Sequence, residues 1–217
     1  MPGNNLKYAD DFAPDYDNTI LNNNWNGPEL LFNTTKDLLK PKSEILDIGI
    51  GTGESSKRFQ QAGHIITGLD GSSNMLEQCQ QKKIGLAYIL HDIEKFPFPI
   101  KNENFDVVIS NGVFHLIFPL LPVISELKRI LKPTGIFAFT YENTHEQSES
   151  IEIQPGIWER KTESGVLTYK YSEELISEYL HINNFKMLGH TRFLAFTNRQ
   201  IQKDMYFNVI VAQPQQI

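Results

Sequence analysis

One cysteine in 217 residues, Cys79, leaves no partner for an internal disulfide. No apolar run approaches the roughly 18 residues that read as a membrane-crossing helix. The opening stretch Met1 to Asp11 is polar and acidic, and lacks the basic start and apolar run of a secretory leader. Together these absences predict a cytoplasmic protein. No long Lys/Arg run occurs and the net charge is −6, which disfavours sequence-independent binding to nucleic-acid phosphates. His64, His91, His115, His145, His181 and His190 are scattered, and no Cys/His set has zinc-ligand spacing, so no metal site is expected. There is no internal repeat. The one biased segment, Asn18 to Asn26, reads as a loop or loosely ordered arm. Nothing in the chain indicates an oligomeric state.

What remains is enough for a core: 40% of residues are hydrophobic and 21% charged. Pro28 opens a helix over Glu29–Leu39, stopped by Pro41. Short apolar runs then alternate with helical patterns. The strands are Glu44–Ile48, Ile65–Asp70, Leu86–Leu90, Phe105–Ser110 and Ile136–Tyr141. The helices between them are Ser55–Ala62, Ser73–Lys82 and Leu120–Leu131. This rhythm predicts a doubly wound α/β domain whose mostly parallel sheet has helices on both faces. Residues 143–171 interrupt it with two possible strands, Ser150–Gln154 and Gly165–Tyr171, expected to form an inserted hairpin after strand five. A helix follows over Glu173–Leu180. Two longer alternating runs, Phe185–Thr197 and Met205–Ala212, suit an antiparallel pair at the sheet edge. The expected organisation is one domain over 1–217, with an N-terminal arm at 1–27 and a lid or substrate insertion at 143–171.

The strongest local signal is Ile45-Leu46-Asp47-Ile48-Gly49-Ile50-Gly51-Thr52-Gly53. An apolar strand runs directly into three alternating glycines and then a helix, which lets a ligand approach the backbone closely. The Gly-Lys-Ser/Thr ending of a nucleoside-triphosphate loop is missing. A dinucleotide fingerprint counted from Gly49 ends on Glu54, whose carboxylate would face a pyrophosphate at a helix N-terminus. Counted from Gly51 it ends on Ser56, which leaves a dehydrogenase reading weakened but open. Asp47, at the strand's end, suits a cationic ligand portion such as an amino-acid ammonium. Asp70 ends strand two, where nucleoside-binding folds place a ribose-binding acid.

The stretches ILDIGIGTG, ITGLDGSSNMLEQ, HDIEKFPFP, FDVVISNGVFHLI and ELKRILKPTGIFAF, in that order over about residues 44–140, resemble the class I S-adenosylmethionine-dependent methyltransferase family. The resemblance implies S-adenosyl-L-methionine as cofactor and a seven-stranded order 3-2-1-4-5-7-6 with strand seven antiparallel. It implies that Asp47, Gly49 and Gly51 hold the methionine part and Asp70 the ribose. It places Gly71, Ser72 and Met75 along the adenine, Asp92 on the adenine amino group with Ile93 beside it, and Ser110 and Asn111 beside the sulfonium. The opening Tyr8 to Asp17 resembles a segment of small-molecule members in which a tyrosine folds over the cofactor's amino-acid end; Tyr16 is the candidate, against a plain surface tyrosine.

Methyl transfer needs an in-line nucleophile, and a base where the acceptor carries a proton. His115, just past strand four, is the first candidate, with Tyr141 and Glu142 at the end of strand five also placed for it. Trp158, Arg160, Tyr169 and Tyr171 lie in the insertion, where packing is the plainer role. Phe96, Phe98, Phe114 and Phe118 either line an apolar acceptor pocket or belong to the core. The Asn-Pro-Pro-Tyr signature of amino-methylating nucleic-acid enzymes is replaced by Ser110-Asn111-Gly112-Val113. The expected partner is a small-molecule O or N acceptor. A protein acceptor, or a nonenzymatic cofactor-binding or regulatory module, is the alternative.

Overall fold

Apolar runs that end at glycine, proline or an acidic turn residue become the strands, and the amphipathic stretches between them become helices. A computed structural model describes residues 4–143, 150–198 and 203–215; His145 lies outside them. In chain order the elements are α1 (Asn4–Asn23), α2 (Gly27–Thr35), β1 (Glu44–Ile48), α3 (Glu54–Gln61), β2 (Ile65–Asp70), α4 (Ser73–Gln81), β3 (Ala87–Leu90) and β4 (Phe105–Ser110). Then come α5 (Leu121–Ile130), β5 (Leu131–Glu142), β6 (Ile151–Gln154), β7 (Ile157–Lys161), β8 (Leu167–Tyr171), α6 (Glu173–Ile182), β9 (Phe185–Asn198) and β10 (Lys203–Pro214). Short 3-10 turns cover Lys36–Leu38 and Phe114–Leu116.

Seven strands form one sheet in the order β3-β2-β1-β4-β5-β10-β9. With the three insertion strands set aside, this is the expected 3-2-1-4-5-7-6. β10 runs antiparallel to both β5 and β9, and the pairs among β1 to β5 are parallel. Strand alternation sends Leu46, Ile48, Phe137, Phe139 and Tyr141 to the face covered by α5 and α6. It sends Ile45, Val107, Ile109 and Ala138 to the face covered by α2, α3 and α4. Each fully buried large apolar side chain stabilises the fold by about 1.5–3 kcal/mol, so both faces contribute to one cooperative domain.

Two expectations need correction. The Asn-rich segment is no loop: α1 is helical through Asn23. Tyr8, Phe12 and Tyr16, four residues apart, contact one another along one side of it, with ring centroids 5.5 and 5.9 Å apart. Pro14 sits inside this helix and lacks the N–H that would reach the Asp10 carbonyl. The Asn74 side-chain amide of α4 donates to that carbonyl instead, at 3.1 Å. A neighbouring element thus repairs the break that proline makes. The insertion, in turn, is a three-stranded antiparallel sheet β6-β7-β8 rather than a hairpin. Its middle strand, Ile-Trp-Glu-Arg-Lys, has one apolar end and a charged one, without the alternation that marks its neighbours.

Candidate active site

The three glycines after β1 all have positive φ, at 71°, 53° and 92° for Gly49, Gly51 and Gly53. They are not equivalent. A Cβ on Gly49 would lie 2.4 Å from Val113 Cγ2, and one on Gly53 2.8 Å from Cys79 Sγ. A Cβ on Gly51 would meet only Met75 Sδ, at 4.0 Å. Gly49 and Gly53 therefore serve internal packing. Gly51 presents bare backbone to a space that protein does not fill.

Two carboxylates border that space. Asp47 is buried, and its Oδ2 accepts from Ser56 Oγ at 2.7 Å. Asp70 accepts from the Gly51 N–H at 2.8 Å and the Ser72 N–H at 2.9 Å, so it also ties the glycine loop to the end of β2. Neither has a basic partner among the described residues. Burial pushes the Asp47 carboxyl up to about 7, against the Ser56 hydrogen bond and helped by the Asp70 charge. Burial also raises Asp70, while backbone donors hold it down.

α1 roofs this cleft. Leu6 lies on Gly71, where a Cβ would come 2.5 Å from its Cδ2. Asp10 Oδ1 accepts from Ser72 Oγ at 2.6 Å and from the Asn74 N–H at 3.2 Å. Asp17 accepts from Thr52 Oγ1 at 2.6 Å and pairs with Lys82 at 2.5 Å. Between these ties sits Tyr16, half-buried. Its phenol is pushed above the ordinary tyrosine range by burial first, then by the charges of Asp70, Asp47, Asp17 and Glu54. Just before Asn4–Asn23 completes its first two turns, Asn5 crosses to the other side of the rim. Its side-chain amide donates to the carbonyls of Leu116 and Leu167 and accepts from the Leu167 N–H, at 3.0–3.1 Å.

The second half of the rim lies past β4 and β5. His115 packs edge-on against Phe207, with centroids 5.3 Å apart, and its Nδ1 is buried without a hydrogen-bond partner. Burial lowers the ring's pKa below 6.5, and the Glu142 charge partly opposes this. Glu142 is paired with Lys170 of β8 at 3.1 Å, both side chains being buried. Trp25 adds a wall, its ring centroid 5.3 Å from Phe207 and its indole against Gly27 and Gly112.

Residues 46–139 match a family model described as a methyltransferase domain. The chain is 36% identical over 98 residues to the malonyl-[acyl-carrier protein] O-methyltransferase of Salmonella typhimurium, covering 45% of this chain and 38% of that one. It is 28% identical over 193 residues to the same-named protein of Buchnera aphidicola, covering 76% of each. The chain belongs to the class I S-adenosylmethionine-dependent methyltransferase family. The first alignment spans only about two-fifths of the Salmonella relative's length. In fold, the chain is like an S-adenosylmethionine-dependent methyltransferase from Methanosarcina mazei, with a TM-score of 0.71 at 16% identity over 85% of this chain and 98% of that one.

The family's cofactor, S-adenosyl-L-methionine, carries an ammonium and a sulfonium, and the residues present suit it: the space above Gly51 is open, and the buried Asp47 and half-buried Asp70 have no cationic partner among the described residues. The other residues expected around it are more constrained than their order along the chain conveys. Ser72 is buried, and its hydroxyl is engaged with Asp10 and with the Met75 N–H. Ser110 Oγ donates to the Ile48 carbonyl at 3.0 Å. Asn111 donates to Ser55 Oγ and accepts from Thr140 Oγ1, both at 2.9 Å. Asp92 accepts from the Glu94 N–H at 3.1 Å, with Lys95 at 3.4 Å and Ile93 buried beside it. Met75 is buried on α4.

The acceptor-side residues separate. Tyr141 is fully buried on the α5/α6 face, and its hydroxyl lacks a partner. Its pKa is raised by burial, then by Glu173 and Glu174, which makes it a hydrogen-bond donor rather than a base. Phe98 and Phe114 belong to the core, Phe96 stacks on Phe98, and Phe118 stacks on Tyr169. The Tyr171 hydroxyl donates to the Ile117 carbonyl. Cys79 is buried and its thiol is pushed up to about 12, in keeping with packing. Sequence reasoning passed over Trp25 and Lys170. A tryptophan isolated in an Asn-rich run was a signal for the first. For the second, the alternation Tyr169-Lys170-Tyr171 puts the lysine on the face opposite two tyrosines.

Asp47 is expected to make cofactor binding pH-dependent. Near pH 7 its carboxyl is about half protonated, and a cationic ligand favours the carboxylate, so binding expels the proton. Affinity for S-adenosylhomocysteine is expected to rise as pH increases from about 6 and to level off near 8, approaching tenfold per unit at the acid end. Calorimetry in buffers of different ionisation enthalpy measures the released proton. Asp47→Asn should abolish the release; if the release persists, Asp70 or another group carries it.

Proposed function

We propose that this chain transfers the methyl group of S-adenosylmethionine to an oxygen of a small-molecule acceptor. The observation that carries the reading is the unfilled backbone at Gly51, bordered by Asp47 and Asp70. In this reading Tyr16 covers the cofactor's amino-acid end, and the Asp47 carboxylate and the Gly49–Gly51 backbone surround the methionine part. Asp70 takes the ribose hydroxyls. Gly71, Ser72, Met75, Asp92 and Ile93 flank the adenine, and Ser110 and Asn111 border the sulfonium. The cofactor supplies an electrophilic methyl; the chain supplies alignment and a dry pocket. α1 acts as roof and the β6–β8 sheet as wall.

An oxygen acceptor is supported by the relatives' names, which specify O-methyl transfer. The pocket's own chemistry favours an acceptor that must lose a proton, because a neutral imidazole is a base and the lysine there is already paired. Glu142 serves to position, not to take the proton. The test is methyl transfer from S-adenosylmethionine to a panel of phenolic and enolic hydroxyls, a malonyl thioester and primary amines. Methyl ethers or esters are expected. Products formed only on amines overturn the oxygen assignment. Tight S-adenosylhomocysteine binding with no transfer to any acceptor favours a nonenzymatic module.

A further inference from the structure

Two charged side chains, Glu142 and Lys170, are buried together at the rim, at 7% and 8% exposure. Burying an ion pair sacrifices the hydration of both ions, and an apolar pair of similar volume is often at least as stable. Stability is therefore a weak reason to keep it. Its position offers a better one. Glu142 stands directly opposite Phe207 in the β5–β10 register, and Phe207 is the ring against which His115 packs. Lys170 arrives from a different part of the chain: β8 of the insertion, paired to β7 at Trp158. That strand is fastened at Leu167 by Asn5, which also holds the carbonyl of Leu116, the residue after His115. The insertion, the roof helix and the His115 turn are thus fixed to one another around this pair.

We infer that Lys170 is a positioning residue for the acceptor site: its ammonium offsets the Glu142 charge beside His115 and so sets the charge state of that ring, whose Nδ1 is buried without a protein partner. The inference rests on the reading of His115 as acceptor-facing and adds the device that sets its protonation. Groups facing the ring come from four elements. Its own 3-10 turn contributes apolar neighbours, Phe114 and Leu116. β5 contributes Glu142, β10 the apolar Phe207, and β8, which packs on the turn, Lys170 and the tyrosines Tyr169 and Tyr171. Among the described residues Glu142 is the charge that acts on the ring, and burial opposes it. Lys170 is the cation paired with Glu142. Without Lys170, an uncompensated carboxylate would stabilise the imidazolium and raise the ring's midpoint. The insertion thereby does more than cover the pocket, since it carries the charge that leaves the base usable.

The test needs no acceptor. The ring-proton shifts of His115, assigned with His115→Gln, are followed against pH by NMR in the full-length protein. Wild type is expected to titrate below 6.5, with the ring neutral at pH 7. Lys170→Met is expected to raise the midpoint by about one unit, on the scale of a single nearby charge. Glu142→Gln alone is expected to lower it below the wild-type value, and Glu142→Gln with Lys170→Met to cancel the rise. Lys170→Arg, which keeps the charge, should titrate like wild type and serves where Lys170→Met does not fold. In that case a Glu142→Gln midpoint no lower than wild type overturns the inference. An ion pair that only holds the insertion in place would lower the melting temperature in Lys170→Met and leave the His115 midpoint where it was, which also overturns it. The two readings fail separately: normal turnover by His115→Ala would sink the acceptor role while leaving the coupling intact, and an unmoved midpoint would do the reverse.

Discussion

Gly51→Val is expected to remain folded and to lose at least about 100-fold in affinity for S-adenosylhomocysteine, or roughly 2.7 kcal/mol. The expectation rests on the difference between three glycines that look alike in the sequence. At Gly49 and Gly53 the space for a Cβ is already taken, by Val113 and by Cys79 with Ile84. Substitution there forces apart the packing of the loop against β4 and α4, and stability falls whether or not anything binds. At Gly51 nothing but Met75 Sδ is within 4 Å of the added carbon. The cost to folding is then the strain of a side chain at φ 53°, about 1–2 kcal/mol and somewhat more for a β-branched residue. A domain with an ordinary reserve of 5–15 kcal/mol tolerates about that much. The valine methyls would occupy the volume the ligand needs beside the Gly51 backbone. Gly51→Ala should fall between. Thermal melting and calorimetric titration on the same samples separate the two effects: Gly49→Ala should lower the melting temperature more than Gly51→Ala and Gly51→Val should lower the affinity more than either. A folded Gly51→Val protein with wild-type affinity would mean that the ligand lies elsewhere.

That contrast also marks where the sequence stops being legible. The strand-glycine-helix succession, the acid ending β2 and the βα alternation are local patterns, and β4 occupies Phe105–Ser110 as its apolar run indicates. The sheet order follows because parallel crossovers and a terminal antiparallel pair leave few topologies. α1 was not legible as a helix. Pro14 and the Asn-rich end are breakers by local rules, and the compensation is tertiary: Asn74 serves the Asp10 carbonyl, while Asp10 and Asp17 are anchored on Ser72, Thr52 and Lys82. Side-chain parity shows the same limit. Period two places Tyr141 and Glu142 on opposite faces of β5, but not which face meets the His115 turn. Burial on the α6 side removes Tyr141 as a base, whereas Glu142 finds Lys170 some 28 residues on, a partner that only the folded insertion supplies. Free valence is likewise invisible in a motif. Ser110 and Asn111 close β4 at the rim, and their polar atoms are engaged with Ile48, Ser55 and Thr140, so they hold the rim's shape.

The reacting end is left to His115, and His115→Ala is expected to slow methyl transfer to a hydroxyl acceptor by about 10²–10⁴-fold in kcat, the range for loss of a positioned base. The ring has what the role needs. Packing against Phe207 fixes its plane, and burial keeps it neutral at pH 7 with Nδ1 unoccupied by any described protein group. A hydroxyl hydrogen-bonded to the ring loses its proton as the new C–O bond forms, and among the described residues Glu142 is the charge that favours the resulting imidazolium. Because His115 packs on Phe207 and has no hydrogen bond to Asp47 or the glycine loop among the described residues, cofactor affinity should change little. The wild-type rate should fall at acid pH with the His115 midpoint, and that limb should vanish in the alanine variant. A carboxylate acceptor has no proton to give up near pH 7; the imidazole would then only orient it, and the loss would be smaller and appear mainly in KM. The split between kcat and KM for the two acceptor types therefore reports the chemistry directly. Undiminished kcat with a hydroxyl acceptor would remove His115 from the reaction and return the base to the solvent.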